Sequence, residues 1–321
     1  MPCAGSGQDG EFRAGLAWPA PRFQEKGGRV LDRLTGLEWT RDANLPEYPL
    51  TWMEALGFMA RMNEARLLGH ADWRLPNRRE LRSLVSHQTG RPVLPDAHPF
   101  INVFPGWYWT STTAAISPAH AWYVDMDGGR MFFGGKDQSF LVWPARGRCT
   151  VLAASGQTLC HDAHGSPCPC GGSGQDGETR SGQPWPWPRF ADEGESVVDA
   201  LTGLRWLRGA DLAGGPVAWM EALGAVRALN ATSLGAYGWR LPNINELESL
   251  VDCEAHTPAL SRGHPFRDVR DAYWSSTTSL YEPDWAWALY LDKGAVGVGQ
   301  KAGRHFHVWP VADAGTCAAT P

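Results

Sequence analysis

The chain is expected to be an α+β protein of two tandem domains, each with two helices followed by a twisted antiparallel sheet. Three observations predict this class. A set of Trp-centred motifs runs twice along the chain in the same order. Two capped helical segments follow one another in each copy. Downstream of them, apolar residues switch from helical spacing to alternation with period two.

The duplication comes first, because it sets the scale of everything else. Leu34-Thr35-Gly36-Leu37-Glu38-Trp39 returns as Leu201-Thr202-Gly203-Leu204-Arg205-Trp206. Trp52-Met53-Glu54-Ala55-Leu56-Gly57 returns from Trp219, Trp73-Arg74-Leu75-Pro76-Asn77 from Trp239, His98-Pro99-Phe100 from His264, and Val142-Trp143-Pro144 from Val308. The offset drifts by only a few residues, so the copies are collinear. A leader repeats as well, residues 3–10 matching 170–177. A period this long is a domain rather than a solenoid unit. The expected boundaries are a first domain at 1–150, a linker at 151–169 and a second domain at 170–321.

Within each copy the elements follow in order. Residues 28–39 read as a strand, a turn at Leu34-Thr35-Gly36 and a second short strand. Thr51 with Glu54 forms a capping box, and Trp52, Ala55, Leu56 and Met59 follow at helical spacing. Asn77 with Glu80, and Asn243 with Glu246, cap a second helix whose inward residues are Leu81, Leu84, Val85 and their matches Leu247, Leu250, Val251. From Tyr108 onward Trp122, Val124 and Met126 alternate with Tyr123 and Asp125, and Asp127-Gly128-Gly129 turns the chain. In the second copy the inward set is Trp287, Leu289, Leu291, Val296 and Val298. A last strand is expected from 140 to 143, and from 306 to 309.

Composition narrows the function classes. A net charge of -5 and a pI of about 6.1 give no basic field for nucleic acid. No apolar run approaches the length of a membrane helix. The 17 Trp residues are far more than usual, and most recur at matched positions, which makes them packing elements first and ligand platforms second. No Ser-His-Asp, phosphate-loop or HExxH pattern is present, so no catalytic residue, cofactor or metal ligand is assigned. Calcium at the polar leader Gly7-Gln8-Asp9-Gly10-Glu11 is weighed against an ordinary turn, and the turn is preferred.

Seven cysteines argue for an oxidising compartment. Cys3 and Cys170 open the copies and Cys149 and Cys317 close them, which suggests one clasp per domain, Cys3 with Cys149 and Cys170 with Cys317. Cys160 and Cys168 bracket a short turn and can form a local bridge, with Cys170 competing for either role. A zinc reading of Cys160, Cys168 and Cys170 with His161 and His164 has poor ligand spacing. Cys253 has no counterpart and is expected as a thiol. The first residues lack the basic and apolar regions of a signal peptide. With disulfides expected, the chain is read as extracellular or periplasmic, its start being truncated or misassigned.

Comparing the copies separates a preserved frame from a changed face. Inward positions keep their class, whereas Tyr123 stands against Ala288, Asp125 against Tyr290, Arg130 against Ala295 and Phe132 against Gly297. The predicted binding residues are therefore Tyr123, Asp125, Arg130, Phe132 and Lys136 in the first copy. In the second they are Tyr290, Lys301, Arg304, His305 and His307. Aromatic and Arg side chains suit a binding surface.

The motifs from Asp32 to Trp39 and Asp199 to Trp206, Trp-Arg-Leu-Pro-Asn-x-x-Glu-Leu, Tyr-Trp-[Ser/Thr]-Ser-Thr-Thr and the closing Val-Trp-Pro resemble the Lcl C-terminal domain family. That family is named for a collagen-like adhesin and was long catalogued as a domain of unknown function. The closing motif departs from the family's Val-Trp-Pro-Val-Arg-Gly at Ala145-Arg146-Gly147 and at Val311-Ala312-Asp313. The resemblance implies exported proteins, some with adhesive or glycan-binding roles. The Arg-Leu-Pro-x-x-x-Glu run is also similar to the formylglycine-generating branch of the C-type-lectin-like fold. The expected function is a non-enzymatic binding or adhesion module for glycan or protein. The alternatives are an oxidoreductase of the formylglycine-generating kind or a metal-dependent enzyme, and a structural surface or assembly protein.

Overall fold

A computed structural model describes residues 3–315. The protein is mixed α+β, with few helices, several antiparallel sheets and two repeated halves. Its compact units cut the chain elsewhere than the repeat does. One unit is Leu16–Pro184, and the other joins Met1–Gly15 to Trp185–Pro321. Each repeated leader thus packs on the body of the other repeat.

In the unit Leu16–Pro184, strands Phe23–Lys26, Arg29–Asp32, Glu38–Thr40 and Ala145–Arg146 form an antiparallel sheet in that order. The turn between the second and third is organised by Asp32. Its carboxylate accepts from Leu34 N at 3.0 Å and Thr35 Oγ1 at 2.9 Å, and pairs with Arg22 through Nε at 2.9 Å and Nη2 at 2.8 Å. Arg22 also donates to Ser83 O, just past the second helix, at 2.8 Å. The ion pair is buried, so the Asp-x-x-Thr-Gly motif ties a turn to a helix end. Asp199, Arg189 and Ser249 repeat these contacts in the other unit.

Helix Trp52–Glu64 begins at the expected Thr51–Glu54 capping box and buries Trp52, Ala55, Leu56, Met59 and Met62. The second helix, Arg78–Arg82, is a short segment started by the Asn77–Glu80 box. Leu84 and Val85 are buried as expected but lie past its end. Arg74 clamps the cap with bonds of 2.6 and 2.7 Å to Glu80, which holds the carboxyl in its charged form against the penalty of burial. The meander of Trp107–Thr113, His120–Asp125 and Met131–Gly135 closes the unit and packs against both helices.

The expected strand from 140 to 143 is not formed. Ser139–Phe140 makes a two-residue ladder with Leu50–Thr51, Leu141 makes an isolated parallel bridge to Tyr108, and ladder pairing resumes at Ala145–Arg146. Pro144 has no N–H to give a ladder there. In the other unit Phe306 is likewise an isolated bridge, and the closing strand is Val311–Asp313.

The unit of Met1–Gly15 and Trp185–Pro321 repeats the plan. It has strands Phe190–Asp192, Ser196–Asp199, Leu204–Leu207 and Val311–Asp313, helices Trp219–Asn230 and Ile244–Ser249, and a meander of Ala272–Thr278, Trp285–Tyr290 and Ala295–Gln300. The recurrent Trp residues are the pins of both units. Trp52 Nε1 donates to Thr110 O at 2.8 Å and Trp219 Nε1 to Ser275 O at 2.8 Å. Trp73 and Trp239 bond Leu67 O and Leu234 O, Trp109 and Trp274 bond Leu50 O and Val217 O, and Trp143 and Trp309 bond Thr40 O and Leu207 O. At these positions a Trp fills the core with its rings while its one donor holds a backbone carbonyl of a neighbouring segment; Trp39 and Trp206 recur as buried rings whose N–H groups make no such bond.

The leaders form matching plugs. In one, Glu11 accepts from Gly5 N and Gly7 N, both at 2.7 Å; in the other, Glu178 accepts from Gly172 N at 2.6 Å and Gly174 N at 2.7 Å. Gly5, Gly7, Gly172 and Gly174 all have φ near +70°, which other residues reach only with strain. A helical turn follows in each, Asp9–Phe12 and Asp176–Thr179. Thr277 Oγ1 then donates to Asp9 Oδ2 at 2.8 Å, and Thr112 Oγ1 to Asp176 Oδ2 at 2.6 Å. Asn243 Nδ2 donates to Ala14 O at 3.2 Å and Asn77 Nδ2 to Ser181 O at 3.0 Å.

The cysteines pair differently from the expected clasps. Cys160 is bonded to Cys170, and Cys149 is a buried free thiol that accepts from Leu152 N at 3.3 Å. The Cys3–Cys149 clasp is therefore not made. Cys170 is already taken by Cys160, which rules out its bond to Cys317, a residue outside those described. Cys168 remains a thiol, directly across a two-residue ladder from Cys160. The local bridge expected there is made by its competitor, because Cys170 begins the plug that folds back onto the hairpin, where Gln175 bonds both N and O of His161.

Candidate functional site

The meander of the first repeat sets its side chains by strand register. Trp107 lies opposite Asp125, Trp109 opposite Tyr123, and Tyr123 opposite Phe132. Paired residues share a face of a sheet, so Trp107, Trp109, Tyr123, Asp125 and Phe132 stand on one side. Trp109 is buried in the core cluster with Trp52, Met59 and Trp73. Above it the face opens outward. Trp107 is 48% exposed, and Tyr123 and Phe132 are half-buried.

Trp107 and Tyr123 stack with centroids 5.2 Å apart and planes 27° from parallel. Both rest edge-on against Phe140, at 5.1 and 5.0 Å. This support holds the two rings as one ordered stacked platform at little entropic cost. Asp125 lies at the edge of the platform, where its N–H donates to Arg130 O at 2.8 Å and its carboxylate accepts from Asp127 N at 2.9 Å. Burial pushes the Asp125 carboxyl up, against the N–H of Asp127 that bonds it and the charge of Arg130, while the Asp127 carboxylate adds to the rise. The Tyr123 hydroxyl is pushed up by burial and by the charge of Asp125. The platform therefore combines an apolar ring surface with a polar rim.

The second repeat carries no such surface. Its matching face has Ala272, Trp274, Ala288, Tyr290 and Gly297, through the pairs Ala272 with Tyr290, Trp274 with Ala288, and Ala288 with Gly297. Tyr290 lies edge-on to Phe306 at 5.5 Å and its hydroxyl donates to Val298 O at 3.3 Å. Substitution of three large rings by Ala272, Ala288 and Gly297 removes the platform while keeping the frame beneath it.

The remaining expected residues fall in separate places. Lys136 is not on the face: it is 1% exposed, lies 4.1 Å over the Trp52 ring, and donates to His161 O and Asp162 O at 3.1 Å. Burial lowers its pKa to about 8. Lys301 sits likewise over Trp219 at 4.2 Å, with bonds of 2.9 Å to Thr278 Oγ1 and Pro283 O. Arg304 pairs with Glu221 in the first turn of helix Trp219–Asn230, and His305 is exposed on the same loop. His307 Nδ1 bonds Asp211 at 3.0 Å, in a different part of the unit. The structure thus brings together Tyr123, Asp125, Arg130 and Phe132, and disperses the residues of the second repeat.

Sequence reasoning missed Trp107. The signal was available: Trp107 aligns with Ala272, a large-to-small change beside the preserved Tyr108-Trp109 and Tyr273-Trp274. A hollow of about 160 Å³ in the other unit, lined by Glu11, Phe12, Leu223, Val226 and Trp239 among others, is smaller than the ~300 Å³ of an ordinary small-molecule pocket. Among the described residues no group of three or more His, Cys, Asp or Glu is placed to hold a metal ion, and no helix is long and apolar enough to cross a membrane.

Comparison with curated proteins returns no match. The sequence model of the Lcl C-terminal domain matches twice, over residues 28–146 and 195–312. Its motif residues are those used above as turn ties, helix caps and Trp pins. With both matches together spanning most of its length, the chain belongs to the Lcl C-terminal domain family.

Proposed function

We propose that this chain is a non-enzymatic, exported binding module whose first repeat engages a glycan, or a protein surface, through the Trp107–Tyr123 platform. The observation that carries the reading is the stacked, half-exposed ring pair, supported from below by Phe140 and flanked by Asp125 and Arg130. Sugar rings present apolar C–H faces that pack on such surfaces, and hydroxyl groups that bond a carboxylate and a guanidinium at the rim. The plan of two helices followed by an antiparallel meander supports a C-type-lectin-like assignment for each repeat. The Cys160–Cys170 bond supports an extracellular or periplasmic setting.

A glycan array probed with the wild type and with Trp107→Ala, Tyr123→Ala and Phe132→Ala tests the reading. Loss of signal for a glycan in Trp107→Ala and Tyr123→Ala, with the melting temperature kept, is the expected result. A confirmed ligand bound equally by all of these variants would remove the platform from the site.

A further inference from the structure

The plugs share one plan of Gly–Glu turn and Asp-led helical turn, and each is seated on a body other than the one that follows it. Residues 15–21 and 182–188 join plug to following body, and both stretches are Pro-rich, with Pro19 and Pro21 in one and Pro184, Pro186 and Pro188 in the other. Proline fixes its own φ and keeps the preceding residue extended. Each joint is therefore restricted in the conformations it can take.

The socket for the first plug is made by Thr277, Thr278 and Asn243. Thr277 donates to Asp9, Thr278 Oγ1 to Gln8 Oε1 at 3.3 Å, and Asn243 to Ala14 O. These partners lie more than two hundred residues from the plug in sequence. The second plug is fastened by a covalent bond from Cys170 to the hairpin that precedes it, whereas the described contacts of the first plug with its socket are hydrogen bonds and packing.

We infer that this joint also forms between molecules: the Met1–Gly15 plug of one copy seats in the Thr277–Asn243 socket of a second copy of this chain. The contacts made in trans are those made in cis, so the two arrangements differ in the entropy of linkage, which high local concentration offsets. The joint pairs a plug with a socket elsewhere in the chain. It is therefore heterologous, and it propagates head to tail or closes into a ring.

Two full-length variants test this. Asp9→Ala with Glu11→Ala disables the plug and leaves the socket vacant; Thr277→Val disables the socket and leaves the plug unseated. Each alone is expected to elute as a monomer, and their equimolar mixture to give a species of twice the chain mass by light scattering. A mixture that stays monomeric at high micromolar concentration would overturn the inference. Thr277 also accepts from Ile244 N at 3.2 Å, so its loss can disturb the fold. A fluorescent peptide of residues 3–16 provides the second measurement. It is expected to bind the plug-disabled chain saturably and to be displaced by unlabelled peptide, and absence of such binding overturns the inference as well. Neither result depends on the glycan array, because the socket lies on the second repeat and the platform on the first.

Discussion

At the scale of single residues, the family's motif positions are structural. Asp32, Arg74, Asn77 and Glu80 spend their polar atoms on turns and caps, and Trp52, Trp73, Trp109 and Trp143 spend theirs on backbone carbonyls. Lys136 carries its charge in a buried place. Burial, the largest cause, lowers its pKa to about 8, with Cys168 and Asp162 opposing. An unfolded lysine titrates near 10.4, so between about 8 and about 10 the unfolded chain holds more protons than the folded one. Stability is then expected to rise with pH across that window, the cost of the buried charge being fully present below it. Lys136→Met should melt higher than wild type near neutral pH, and the gap should narrow toward pH ~10. A gap that stays constant across the titration would show that the ammonium is not the cause.

At the scale of elements, the short helices depend on their caps. Arg78–Arg82 is too short to be stable alone, and Asn77 Oδ1 accepts from Glu80 N at 3.0 Å while Asn77 Nδ2 holds Ser181 O. Asn77→Ala is expected to cost about 2 kcal/mol, at the upper end of cap losses, because a cap bond and a plug bond go together. Denaturant unfolding reads this directly. A cost no larger than that of Thr51→Ala, which lies on an exposed cap with no plug, would mean that the plug contact contributes nothing.

The elements were also where the sequence was most readable, and where its limits lie. Capping boxes, the Asp127-Gly128-Gly129 turn and the alternation in the meander are local signals, and the structure has all three. Long-range facts had no local trace. The plug exchange depends on which body a leader reaches, and Cys170 rather than Cys168 bonds Cys160 because the plug folds back over the hairpin. Lys136 looked like a surface residue because the segment that buries it, residues 160–168, lies beyond the repeat's own closing motif. Tyr123 and Phe132 were legible as changed positions, but Trp107, which completes the platform, was masked by its place in a preserved aromatic stretch.

At the scale of the whole molecule, duplication has kept a frame and released a face. The frame is the set of Trp pins, the two buried Asp–Arg ties and the Arg–Glu clamps, present in both repeats. The face carries Trp107, Tyr123 and Phe132 in one repeat and Ala272, Ala288 and Gly297 in the other. The central claim is that binding belongs to the first repeat alone. The most direct test is the stoichiometry of a glycan found on the array, titrated by calorimetry into the full chain. One site per chain, abolished by Trp107→Ala, is the result expected. Two equivalent sites, or one site untouched by Trp107→Ala, would contradict the account.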